Sequence, residues 1–129
     1  MQTFKKAERL HGRQLIQQLF AEGKSFTLTS FRVIWVKAEL KSQYPVEMLI
    51  GVPKKNIKKA VLRNRIKRRI REAYRRHKKP LYESLTSKGI ACKLMLIYTG
   101  KDEIQYKEVE IKINQIIQRL IKENEETVR

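Results

Sequence analysis

The chain has 129 residues, 41% of them hydrophobic, and ten are aromatic. That makes one domain able to bury roughly two thirds of the surface its unfolded form would expose, and it excludes a globally disordered chain. The net charge of +17 and pI near 10.3 point to a polyanionic partner, either nucleic acid or an acidic membrane surface.

In chain order, the basic start MQTFKKAERLHGRQ has no apolar segment after it and so is not expected to be a secretory leader. RQLIQQLFAEG (13–23) sets Leu15, Ile16, Leu19 and Phe20 at helical spacing, with Gly23 as a stop. SFRVIWVKAEL (30–40) alternates Phe31, Val33 and Trp35 against Arg32, Ile34 and Val36, the pattern of a strand. KSQYP is a turn, and VEMLIGV (46–52) is a second strand, expected to pair with the first as a hairpin. A long helix is expected from about Ile57 to His77, with Pro80 as its stop. IACKLMLIY (90–98) is apolar almost throughout, as in a buried strand. The last helix runs from about Tyr106 to Glu123, with Val109, Ile113, Ile116, Ile117, Leu120 and Ile121 on one side, and residues 123–129 are expected to fray. No apolar run approaches the ~20 residues that span a bilayer. The lone cysteine, Cys92, suits a reducing cytoplasm and reads as a small core residue. Periodicity leaves the topology of this small helix-covered sheet open.

Charge is concentrated in one place. Residues 54–79 hold 14 of the 30 lysines and arginines, and Glu72 is their only acid. On a helix, Leu62, Ile66, Ile70, Ala73 and Tyr74 fall within one third of the circumference, a stripe suited to docking on a sheet. Asn64, Arg68, Arg71 and Arg75 project opposite it. Cations three and four apart repel on an isolated helix, and Lys54, Lys55, Lys58 and Lys59 crowd the end where the helix dipole disfavours them. A solvated face mixes both signs. This one does not, and arginine's planar fork suits phosphate. Polyanion binding is therefore the better reading. A membrane-surface helix fits less well, because the aliphatic stripe is needed to cover the strands.

GVPKKNIKKAVLRNRIKRRIREAYRR (51–76) resembles the signature of the protein subunit of bacterial ribonuclease P. Arg63-Asn64-Arg65, followed by Ile66-Lys67-Arg68 and Arg71-Glu72, looks like that family's RNR motif, and Pro53 stands where many members have serine. ERLHGRQLIQQLFAEGKSF is similar to the family's first helix and following turn, and the likeness covers most of residues 4–122. The resemblance implies an α+β two-layer sandwich over the single domain 1–129, with a small four-stranded mixed sheet, three helices and a left-handed βαβ crossover. It implies a cytoplasmic protein cofactor that helps to remove the 5′ leader of precursor tRNA. The partners would be ribonuclease P RNA and precursor tRNA, with no obligate protein partner and no membrane. Catalysis would belong to the RNA subunit and its Mg²⁺, with no catalytic or metal-binding residue in this chain. Contacts to the catalytic RNA would fall on Arg63, Asn64, Arg65, Lys67, Arg68, Arg71, Lys54 and Lys55. The single-stranded leader would lie in a cleft between sheet and first helix, at Phe20, Ile16 and Ile34. Ile16 replaces a frequent phenylalanine, and Ile34 lies near a strand position that is often tyrosine. Phe31 and Trp35 are expected in the core instead.

The residues themselves agree with a protein that does not cut RNA alone. His11, His77 and one cysteine make no zinc set, and no spacing suggests a nucleophile triad or paired carboxylates. His77 beside Lys78 and Lys79 reads as a solvated helix end. A structural RNA binder of ribosomal type stays open as an alternative. A DNA-binding helix pair is disfavoured by the strand that precedes residue 53, and a stand-alone nuclease has no residue set.

Overall fold

The computed structural model describes residues 13–127, with side chains from Ile16 to Glu125. The expectations on His11 and on residues 128–129 lie outside the described residues. The elements in order are α1 (Arg13–Glu22), β1 (Lys24–Leu28), β2 (Phe31–Glu39), β3 (Val46–Gly51), α2 (Ala60–His77), α3 (Lys79–Lys88), β4 (Ile90–Tyr98) and α4 (Tyr106–Thr127). The class is α+β with a four-stranded mixed sheet, as expected, but with four helices rather than three.

The sheet order is β1-β2-β4-β3. β2 pairs antiparallel with β1 and with β4, and β3 pairs parallel with β4. The expected hairpin between the strands at 30–40 and 46–52 does not form. β4 lies between them because it is apolar on both faces and belongs at the centre, and the return from β3 is made by the crossover through α2 and α3. Pro45 joins the start of β3 to this centre, its carbonyl accepting from Cys92 N at 2.8 Å.

Side-chain parity then assigns the faces. Phe31, Val33 and Trp35 of β2, Val46 and Met48 of β3, and Cys92, Leu94, Leu96 and Tyr98 of β4 are buried in the main core, so Phe31 and Trp35 are core residues as expected. α2 adds Ile66, Ile70, Ala73 and Tyr74 to that core, and α4 adds Val109, Ile113, Ile116, Ile117 and Leu120. Burial pushes the Cys92 thiol up to about 12, so it is an inert core group. α1 lies on the other face, where Leu19 packs on Ile34.

Three boundaries differ from expectation. Asn56 N and Ile57 N both donate to the Pro53 carbonyl, so the segment before Ala60 is a tight turn and α2 starts three residues late. Pro80 sits in the first turn of α3, where its missing N–H costs nothing, and so it opens a helix instead of ending a region. α4 runs on to Thr127, past the expected fraying at 123, and Asn124 is buried with its Nδ2 donating to the Leu120 carbonyl at 2.9 Å.

Candidate nucleic-acid interface

The turn at 53–59 is built to hold Lys54 and Lys55 beside the start of α2. Ile57 anchors it in the core. Arg63 closes it from the helix, its Nη1 donating to the carbonyls of Ile57 at 2.9 Å and Lys58 at 2.8 Å. Arg63, expected as an RNA ligand, is thus half-buried and engaged with backbone. No side chain caps the N-terminus at Lys59, and the first turn carries no acid, so the positive end of the dipole points toward the same lysines.

Along α2 the buried stripe is the one expected from periodicity. On the opposite side Asn64, Arg68 and Arg71 are exposed, as are Lys54 and Lys55, and Lys67 is half-buried. Arg71 is also engaged within the chain. The remaining cations of the helix meet acids, some distant in the linear sequence and one, Glu72, on the helix itself. Glu103 pairs with Arg65 at 3.2 Å and with Arg69 at 2.8 Å, and Arg69 Nη1 also donates to the Ile104 carbonyl at 2.7 Å. The loop that carries Glu103 is itself fixed, because Tyr98 Oη donates to the Asp102 carbonyl at 2.6 Å and Thr99 N to the Ser30 carbonyl at 2.7 Å. Glu72 pairs with Arg75 and Arg76. The Arg76 guanidinium stands 5.8 Å from the centre of the Tyr106 ring.

His77 is not the solvated helix end expected of it. Its Nε2 lies 3.0 Å from Glu110 Oε2 on α4, a carboxylate that also accepts from Tyr106 Oη. These contacts set the carboxyl groups. Arg75 beside Glu72, Arg65 beside Glu103 and His77 beside Glu110 hold all three below the usual carboxylate value. Salt bridges therefore divide the basic helix. One edge is neutralised toward α4, and the face running from Lys54 and Lys55 through Asn64, Lys67 and Arg68 is left for an external anion.

The second surface is the sheet face under α1. Gly23 lets the helix approach closely there, and its N donates to the Leu19 carbonyl at 2.9 Å. Of the three residues expected to line a cleft, Phe20 is 52% exposed at its rim and Ile16 is half-buried. Ile34 is 2% exposed. It is covered by Leu19 and does not face the cleft, because the strand position that points at α1 is the one the helix must seal. The exposed part of the floor is instead built from half-buried Val36, Leu49, Met95 and Ile97. Register places Arg32 beside Ile97, and Lys93 between Val36 and Glu47. Sequence reasoning missed these positions. The alternation within IACKLMLIY held the signal, since Lys93, Met95 and Ile97 have opposite parity to Cys92, Leu94 and Leu96.

Among the described residues no group of three His, Cys, Asp or Glu stands where it could hold a metal ion, and no helix is long and apolar enough to cross a membrane.

The chain matches the family model described as Ribonuclease P over residues 4–121. It is 36% identical over 106 residues to the ribonuclease P protein component of Porphyromonas gingivalis, covering 81% of this chain and 77% of that one. It is 37% identical over 106 residues to the corresponding component of Chlorobium phaeobacteroides, covering 76% and 73%. Among solved structures, the RNase P protein from Thermotoga maritima superposes with a TM-score of 0.68 at 26% identity, over 87% of this chain and 96% of that one.

Proposed function

Since the chain belongs to the ribonuclease P protein family and serves as the protein cofactor in tRNA 5′-end processing, we propose that its two surfaces divide the work between catalytic RNA and substrate. Lys54, Lys55, Asn64, Arg65, Lys67 and Arg68, with Arg71 beside them, bind phosphates of the ribonuclease P RNA. Arg63 acts one step back by fixing the turn that carries the two lysines. The cleft between α1 and the sheet takes the single-stranded leader of precursor tRNA. Phe20 is its one exposed aromatic side chain among the residues named, and Arg32 and Lys93 are set to meet the leader's backbone. A charged groove with a stacking platform is the general means of holding single strands.

One observation carries the assignment: Lys54, Lys55, Lys67 and Arg68, with Asn64, stand exposed or half-buried with no internal acid paired to them among the described residues, although three glutamates of the fold neutralise other cations of the same helix. An arrangement meant only for solubility would have no reason to keep that face clear.

On this reading the protein supplies no nucleophile, acid or base. Mg²⁺ belongs to the RNA subunit, where it supplies metal-ion activation of water for hydrolysis of the phosphodiester. The protein lowers the mutual repulsion of leader and catalytic RNA and holds both in register. A cytoplasmic location goes with this role.

The test is cleavage of precursor tRNA by a bacterial ribonuclease P RNA at low Mg²⁺, with and without the protein. Strong stimulation with a correct mature 5′ end is expected. Tight RNA binding without stimulation would instead make the chain a structural RNA binder.

A further inference from the structure

Arg65 and Arg69 share one carboxylate, and they share it unequally. Arg69 is 22% exposed and held twice, by Glu103 at 2.8 Å and by the Ile104 carbonyl at 2.7 Å. Arg65 is 44% exposed and reaches Glu103 through Nη1 alone, at 3.2 and 3.3 Å from the two oxygens. A guanidinium in its strongest pairing presents two nitrogens to two oxygens. Arg65 does not do so here.

We propose that Glu103 is an internal stand-in for RNA phosphate: Arg65 rests on it in the free protein and transfers to a phosphate when RNA binds, while Arg69 stays behind. The proposal deepens the assignment of α2 to RNA and rests on it. Removing one partner of an ion pair is costly when the other is left uncompensated. Here the departure of Arg65 leaves Glu103 paired with Arg69, so that penalty is absent. Exposed ion pairs are weak and screened by salt, whereas a phosphate offers the two acceptor oxygens that match the arginine fork. The loop carrying Glu103 does not open in the exchange, because Arg69 also holds it through Ile104. The cost is an internal anion that RNA must displace.

The test is binding of the full chain to a bacterial ribonuclease P RNA over a salt series, with thermal melts of every variant. Arg65→Ala leaves the Arg69 contacts intact and is expected to remove about 0.7–0.9 from the slope of log affinity against log salt, one phosphate's share. Glu103→Gln is expected to bind roughly two- to fivefold tighter at low salt, the range spanned by exposed ion pairs, with the gain shrinking as salt rises. An unchanged slope for Arg65→Ala, or weaker binding by Glu103→Gln in step with a lower melting temperature, would overturn the exchange and leave Glu103 a loop clamp. Arg68→Ala separates the two levels of inference. If it alone flattens the slope, only the exchange falls. If neither arginine variant does, the assignment of α2 to RNA falls and takes the exchange with it.

Discussion

A methyl group on Gly23 would stand 2.4 Å from the Leu19 carbonyl oxygen, 2.9 Å from Ile34 Cγ2 and 3.1 Å from the Trp35 carbonyl oxygen. Two of those atoms are backbone and cannot swing aside, so any larger residue must distort the last turn of α1, where Leu19 lies, and push it off β2. Gly23→Ala is expected to cost about 1–3 kcal/mol, as overpacking does, and to open the cleft; an unchanged melting temperature would show that α1 is held less tightly than its contacts imply. Phe20 poses the opposite case. With half its surface exposed, truncation should leave stability within about 0.5 kcal/mol. If it stacks on a leader base, Phe20→Ala should weaken binding of precursor tRNA by about 1–3 kcal/mol and leave binding of mature tRNA untouched. Equal losses for both RNAs would remove Phe20 from the leader site. The sequence already placed Phe20 on α1, but the same helical spacing fits a buried or an exposed side chain. Only the partner of that helix decides, and that partner is the face of β2 which Ile34 and Leu19 seal.

α2 is joined to α4 by their apolar stripes and by the pair of Glu110 with His77, and to the loop before α4 by Glu103, which holds Arg65 and Arg69. Each carboxyl, together with Glu72, is lowered on folding from the ordinary 4.5. Folding therefore favours the charged forms. Their contribution is complete above about pH 4.5 and is lost as the pH falls through the lowered folded values. Melting temperature should fall on acidification below that point, and Glu110→Gln should make the fall shallower. A variant that tracks the wild type throughout would show that the His77 pair contributes nothing to the clamp. These contacts were not legible in the sequence, because pairs separated by more than thirty residues leave no local pattern. The stripes were legible, since helical period dictates them. The errors in topology have equally physical causes. β1, KSFTL, buries one residue of its five and shows no alternation long enough to read. Pro80 signals a break, but a proline is as well suited to opening a helix as to following one. The adjacency of β2 and β3 suggested a hairpin, whereas the doubly apolar β4 claimed the central place.

At the scale of the molecule, a formal charge of +17 overstates what an RNA meets, because the fold spends part of it internally. Of the cations expected to contact RNA, Arg63 is committed to two backbone carbonyls and Arg71 is engaged within the chain. Lys54, Lys55, Lys67 and Arg68 remain, with Arg65 available once Glu103 gives it up. Roughly five phosphates neutralised would give a slope of log affinity against log salt near −3.5 for single-stranded contacts and −4.5 for duplex ones. Composition alone would forecast a much steeper dependence, since residues 54–79 carry 14 cations. The two expectations are far enough apart for one titration between low and physiological salt to separate them. A slope near −4 means that Glu103 gives up Arg65 alone, that the other internal ion pairs persist in the complex, and that recognition is confined to one face of α2. A slope twice as steep means that RNA also strips Glu103 of Arg69 and Glu72 of Arg75 and Arg76, and in that case all the acids that order this side of the free protein would be part of what RNA must displace to bind.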